Sequence, residues 1–329
     1  MIEEIKNSIS EDFTNLNFDL SNWKEVLNNS TDISVFHLQS SIDYYAAYHG
    51  GTNISFMLHE NNTPLAVFPL FAYKENNRWI ITSNGEGVIG PLFVKNTPKK
   101  LRKRLEKQIV EIIYIIVNKL KIKKVHFFEP NLILSSWHLL WLEKANKDCL
   151  TYQLAVDLKK SIEDIRLDFR KSYKPLVNKA LKEWQIEVCE NDNDNIFEEF
   201  RLLHLEAAGK ETRSRESWTV QKEQIKNKEA FLVTVRDKED LIGAGFFNYT
   251  RDTGMYSVAA YKRELFDKPI GHAVQMIAIG KLKELGCKTY HLGQKAAKGT
   301  STDKELSISH FKEGFAGYTY AQPHLEVII

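Results

Sequence analysis

The amino-acid sequence predicts an α+β fold built as two similar units in tandem. Three observations carry that prediction. At 329 residues the chain is longer than one ordinary hydrophobic core organises. Each half contains a meander of short apolar runs broken by turn residues. In each half the meander is followed by a long helix and then one more strand, an order that reads as a mostly antiparallel sheet flanked by helices. The division is placed at residue 150, giving units over 1–150 and 151–329.

In the first half, short helical pieces lead into a strand over 54–59, a turn over 60–63 and a strand over 65–73. After a turn over 74–77, residues 78–82 pair back, the asparagines of both turns being the hairpin signal. Gly85, Gly87 and Gly90 mark an irregular loop before Pro91. Pro98 opens a helix that runs to 120, followed by a short buried strand over 124–128 and a helix over 135–145. In the second half, residues 162–184 read as helical with a break at Pro175 and a basic face of Arg170, Lys171, Lys174, Lys179 and Lys182. Residues 186–189 are extended, 191–195 form a polar loop, and 196–208 and 216–226 are helical. Strands over 230–236, 241–249 and 255–261 follow, joined by hairpin turns at 237–240 and 251–254. A helix over 270–285 stops at Gly286, which takes a left-handed C-cap without strain, and 289–292 is the next strand.

Composition narrows the function classes. Hydrophobic residues make up 43% and charged residues 27%, ordinary values for a folded protein. A net charge of +2 gives no global basic field for nucleic acid. Cys149, Cys189 and Cys287 are too scattered for a disulfide framework or a cysteine zinc site, which suits a reducing compartment. Residues 1–10 lack an apolar signal core. The most apolar stretch, 109–117, lies between Lys107 and Lys119, contains Glu111 and is too short to span a bilayer. The reading is a cytoplasmic protein. His126 and Glu129 do not form a zinc helix motif, and neither a Gly-x-Ser-x-Gly elbow nor a Gly-x-x-x-x-Gly-Lys-Ser/Thr phosphate loop occurs. A transferase without a metal is the economical expectation.

Chemistry is expected where the strand over 255–261 feeds a loop and the loop feeds a helix start. Free backbone N–H groups and the helix dipole make such a point an anion site. Asp267 and Pro269 are start signals, Lys268 and Ile270 flank the turn, and Gly271 lets a ligand approach the backbone. His272 at the helix start would be held neutral by the dipole and so able to act as a base, or is simply packed. Tyr256 and Tyr261 line a channel or serve packing. Gln294 and Lys295 follow Gly293 at a strand end, a common location for functional groups. The densest polar and aromatic run is His204, Glu206, Arg213, Arg215, Glu216 and Trp218 around an Ala208-Gly209-Lys210 break. Its arginines suit a phosphate or carboxylate on an acceptor, and Glu206 or Glu216 suits proton removal. A solvated helix–loop–helix is the plain alternative.

The stretch 241–293 resembles the acyl-donor half of the GNAT acyltransferase superfamily, with 255–261 as its splayed central strand and Lys268-Pro269-Ile270-Gly271-His272-Ala273 as its pyrophosphate loop. The chain resembles the FemAB-like and BioF2-like branch, in which two GNAT-type domains sit in tandem, from about Ile162 to the C-terminus and, in the first half, by the order of its elements alone. Phe169-Arg170-Lys171-Ser172-Tyr173, Thr289-Tyr290-His291-Leu292-Gly293 and Ile308-Ser309-His310-Phe311-Lys312-Glu313-Gly314-Phe315-Ala316-Gly317 carry that closer match. The resemblance implies an N-acyltransferase in which Lys312 lies at the active site and stabilises a tetrahedral oxyanion. It implies that the first unit serves the acceptor, a small polar amine such as an amino sugar or cell-envelope precursor. The sequence departs from the usual CoA loop, an arginine or glutamine followed by two spaced glycines. Phe266, Pro269 and Gly271 stand at those positions, and only Gly271 fits. Acyl-CoA is the first donor implied and aminoacyl-tRNA, as in FemAB-type enzymes, the second, the basic residues between Arg170 and Lys182 suiting tRNA phosphates. A non-catalytic binding module on the same fold is the remaining alternative.

Overall fold

The computed structural model describes residues 1–131, 133–191 and 193–329. The chain forms two compact units, Met1–Leu150 with Gln322–Ile329, and Thr151–Ala321. The chain leaves the first unit within strand Lys147–Asp157 and returns to it within strand Tyr318–Ile328.

In the first unit, Leu16–Asn17, Phe56–Glu60, Thr63–Phe68 and Leu92–Phe93 make an antiparallel sheet. A second antiparallel sheet holds Thr52–Asn53, Phe71–Glu75 and Arg78–Thr82. Asn61, Asn62, Asn76 and Asn77 all take positive φ, so the two hairpins turn where the asparagines predict. The single strand expected over 65–73 is two strands in different sheets. Pro69 has no N–H for a ladder, and the break is sealed by side chains. Ser83 Oγ donates to the Pro69 carbonyl at 2.6 Å and Ser55 Oγ to that of Leu70 at 3.0 Å. Helix Lys99–Leu120 lays Leu105, Ile109, Ile112, Ile113, Ile116 and Val117 on the core, the spacing of one helical face. Strand Lys124–Phe128 pairs antiparallel with His324–Ile328, which is why the C-terminal segment belongs to this unit. The helix expected over 135–145 is shorter, Ser136–Leu142, capped by the Ser135 hydroxyl.

In the second unit, Gln185–Cys189, Ala230–Asp237, Asp240–Tyr249 and Thr253–Tyr261 form an antiparallel meander. Thr289–Gln294 joins Thr253–Tyr261 in parallel and pairs antiparallel with residues of Lys147–Asp157 on its other side. One face of this sheet packs under helices Tyr173–Glu183 and Ile270–Glu284 through Val177, Val274, Ala278, Leu282 and Tyr290. The other packs under Asp194–Ala208 and Arg215–Lys226 through Phe197, Phe200, Leu203 and Trp218.

Several expected boundaries move. The helix over 162–184 is two helices, Ile162–Asp168 and Tyr173–Glu183, and the break lies at 169–172, not at Pro175. Pro175 stands in the first turn of the second helix, where its missing N–H costs nothing. Asp192, within the polar loop expected over 191–195, lies outside the described residues. Asn193 caps a helix that already begins at Asp194. Helix Asp303–Glu313, closed by a Thr302–Glu305 capping box, carries most of the sequence motif around Lys312. Among the described residues, no helix is long and apolar enough to cross a membrane, and no group of three or more His, Cys, Asp or Glu side chains could hold a metal ion.

Candidate active site

The central strand of the second unit is bent by a bulge. Phe246 pairs with Val258 and Phe247 with Tyr256, so Ser257 is the extra residue. Its hydroxyl is held by Asn248 Oδ1 at 2.7 Å. Alternation along a strand would send Tyr256 and Tyr261 to opposite faces. The inserted residue reverses that parity, and their hydroxyls meet at 3.1 Å.

The same strand parts from its parallel neighbour. Thr253, Gly254 and Met255 pair with Thr289, Tyr290 and His291, and the pairing ends there. Tyr256–Tyr261 continues alongside Asp240–Tyr249 only. Gly293 and Gln294 keep only the pairing on the strand's other edge, with Leu154 and Gln153. The sheet therefore opens on one side of Tyr256.

Lys312 enters this opening from helix Asp303–Glu313. Its Nζ lies 5.6 Å from the centre of the Tyr256 ring, a cation–π contact. No carboxylate or hydrogen-bond acceptor among the described residues reaches it, and burial pushes its pKa down to about 8. Gly293 makes room for it. The backbone there has φ +103°, and a Cβ would stand 2.9 Å from Nζ. Burial raises Tyr256 to about 12 and Tyr261 well above its ordinary value, so both phenols keep their protons.

At the helix start, Ile270 is buried in the core, so only its backbone faces the loop. The space a side chain would need at Gly271 is taken by Phe311 and Tyr261. Lys268 is exposed and lies 3.5 Å from Asp267. His272 is neutral, with its pKa lowered to about 4. The main cause is burial, with Arg170 second, whereas the sequence pointed to the helix dipole. Its ring sits 4.3 Å from Tyr173, 5.3 Å from Phe311 and 5.6 Å from Phe315, and Nε2 has no hydrogen-bond partner among the described residues.

The remaining nominated residues lie elsewhere in the unit. Trp218 is core, packed on Phe200 and His204. Arg213 stacks over its ring at 5.5 Å and bonds His204 Nε2 at 2.8 Å. Burial, then Arg213, lowers His204 to about 4. Arg215 and Glu216 begin the helix Arg215–Lys226 and are exposed. Glu206 is exposed near Lys262, and no hydrogen bond or ion pair among the described residues joins it to Lys312 or Tyr256. Gln294 and Lys295 are exposed past the opening, Lys295 Nζ lying 3.7 Å from Glu313. Residues not nominated from sequence also shape the site. Ser257 acts through the bulge and Gly293 through its φ, and neither leaves a signal in a lone sequence beyond the glycine itself.

No family model matches the chain, and no curated protein matches it. Solved structures do share its architecture. It is similar to FemX, with a TM-score of 0.70 at 12% identity, over 95% of this chain and 96% of that one. It is similar to L-PGS from Bacillus licheniformis, with a TM-score of 0.57 at 13% identity, over 88% of this chain and 92% of that one. A conserved protein of unknown function from Bacteroides thetaiotaomicron VPI-5482 matches with a TM-score of 0.60 at 8% identity, over 95% and 98% of the two chains. At these identities the likeness is one of fold. Both the architecture and these likenesses agree with the tandem GNAT-like fold expected from the sequence.

Proposed function

We propose that the protein is an N-acyltransferase whose acyl donor lies in the opening beside Tyr256. The observation that carries this reading is a half-buried lysine amine, with no hydrogen-bond or ion-pair partner among the described residues, aimed into a sheet that has parted. A backbone edge left without a strand partner suits the amide groups of an extended acyl-bearing arm. Lys312 is mostly protonated at neutral pH, since its pKa is about 8. The acceptor amine attacks the donor carbonyl, the C–N bond forms, and the oxyanion is stabilised by the Lys312 ammonium. Collapse breaks the bond to the leaving group, which departs as thiolate if the donor is acyl-CoA. The proton of the acceptor nitrogen goes to solvent or to a side chain. Of the three proton acceptors the sequence suggests, Glu206 and Glu216 are exposed whereas His272 Nε2 is buried among aromatic rings. Tyr256 and Tyr261 wall the acyl group. Lys268 and the backbone of Ile270 and Gly271 serve the donor's phosphates, and Arg215, Gln294 and Lys295 are the exposed polar groups offered to an acceptor such as an amino sugar or cell-envelope precursor. The first unit is assigned to the acceptor side.

Acyl-CoA is the donor this reading favours. Aminoacyl-tRNA is the second reading, supported by the sequence resemblance to FemAB-type enzymes and by exposed Lys171 beside Arg170. Calorimetry of the full chain with acetyl-CoA, longer acyl-CoA species and charged tRNA separates them. Binding of a CoA ester with little salt dependence supports the first. Binding of tRNA that falls steeply with salt supports the second. Silence from all donors leaves a non-catalytic module.

A further inference from the structure

The helix that carries Lys312 ends one residue later, and of its last carbonyls Phe311 accepts from the Gly314 N–H at 3.2 Å and Lys312 from the Phe315 N–H at 3.0 Å. Two side chains, Arg170 from the break before helix Tyr173–Glu183 and Tyr173 from that helix's first position, add bonds to the carbonyls of His310 and Phe311. Arg170 Nη2 donates to the His310 carbonyl at 3.0 Å, and the Tyr173 hydroxyl donates to that of Phe311 at 3.2 Å. The backbone N–H of Arg170 donates to the Gly314 carbonyl at 2.9 Å. These bonds fall on residues 310, 311 and 314, on both sides of Lys312. The pair is also braced internally. Arg170 Nη1 donates to the Tyr173 hydroxyl at 3.2 Å, and the guanidinium lies 5.0 Å from the centre of that ring. Arg170 further meets His310 Nε2 at 2.8 Å. The Tyr173 ring presses so closely on Gly314 that any Cβ there would overlap it.

We propose that Arg170 and Tyr173 are positioning residues for Lys312, fixing the direction in which its side chain leaves the helix end. The proposal rests on the acyl-transfer reading for what the amine does, but not for where it is held. A lysine at a helix end ordinarily swings into water, because its charge is better solvated there. Here the helix end is pinned, and the amine is delivered against Tyr256 and Gly293. The phenol it meets is that of Tyr256, whose hydroxyl in turn meets Tyr261. On its own helix stand His310, which faces Arg170, and Glu313, which accepts from Ser309 at 3.0 Å and lies near Lys295.

The test follows the amine itself, in the full chain. Lysines are labelled with an acylating reagent from pH 6 to 11, and modification of Lys312 is read by peptide mass spectrometry. The wild-type midpoint is expected near 8. Arg170→Met should move it toward the ordinary 10.5, so that labelling at pH 8 falls by up to about 100-fold. Tyr173→Phe keeps the ring and removes one hydroxyl, so the fold is retained, and the midpoint should rise by at least about one pH unit. Arg170→Lys, which can reach one carbonyl, should fall between wild type and Arg170→Met. A midpoint unchanged in Arg170→Met and Tyr173→Phe, both folded by circular dichroism, overturns the proposal. Donor binding is measured on the same wild-type sample. A shifted midpoint without any donor binding upholds the positioning role and removes the acyl-transfer reading instead.

Discussion

Replacing Lys312 by methionine should make the protein more stable at neutral pH while abolishing turnover. The folded-state pKa of Lys312 is about 8 against an ordinary 10.5. Below pH 8 the amine is protonated in both states, and the folded state bears the full cost of holding a charge out of water. Between pH 8 and 10.5 the folded chain has released the proton and the unfolded chain has not, so stability rises with pH through that window. The difference corresponds to about 3 kcal/mol at pH 7. Some water still reaches the amine, so we expect a gain of roughly 1–3 kcal/mol for Lys312→Met, whose side chain has similar length and no charge. For a unit of this size that is a rise in Tm of roughly 2–10 °C. Urea unfolding followed by tryptophan fluorescence at pH 7 and pH 10 measures it. The gain should shrink below about 1 kcal/mol at pH 10. A loss of stability at pH 7, or an equal gain at both pH values, would refute the burial argument and with it the reading of Lys312 as a charge held for chemistry.

Gly293→Ala should cost about 1–3 kcal/mol in urea unfolding, because a left-handed φ and the Lys312 amine both exclude a methyl group; turnover should fall with it. Trp218→Ala should cost about 3–5 kcal/mol by the same measurement, the value for emptying a core site, whereas a ligand-facing tryptophan would lose far less. His204, His272 and His291 are all held near pKa 4 in the fold, mainly by burial, so the unfolded chain takes up protons first on acidification. Stability should be fully present above about pH 6.5 and decline by up to about 2 kcal/mol per histidine by pH 5, checked by denaturant titration at pH 7.5 and 5. Iodoacetamide at pH 8 should label exposed Cys149 quickly and leave buried Cys287, whose thiol is pushed up to about 12, unmodified until the chain unfolds.

Much of the fold was legible because it is written in local patterns. The asparagine turns, the 3.6-residue spacing of Ile109 to Val117 and the glycine stop at Gly286 act within a few residues of themselves. What escaped depends on distant partners. Strand Lys147–Asp157 has exposed residues through its first part, and only Leu154, Ala155 and Val156 are buried, so it shows no clean alternation. Pro175 suggested a break that the chain makes earlier, at 169–172. Arg170 in that break and Tyr173 just after it bond carbonyls of another helix, and nothing in the local sequence reports that. At the site, Lys312, Tyr256 and Tyr261 were named from motif and position and do come together. Trp218 and Arg213 were named from density of polar and aromatic residues, and that density turns out to pack a core edge around His204. Composition cannot separate a ring that stacks on a ligand from one that stacks on its own fold.

Strand Lys124–Phe128 is flanked on one side by the Val88 loop and on the other by residues 324–328. During synthesis the first unit therefore waits for nearly two hundred further residues, roughly ten to forty seconds of translation, before that edge is covered. Until residues 324–328 have been made, the strand carrying Val125 and Phe127 lacks its antiparallel neighbour. The unit begun first is thus the one completed last, and the alternating Lys124 and His126 along its waiting edge are the kind of polar guard that discourages a neighbouring nascent chain from pairing there.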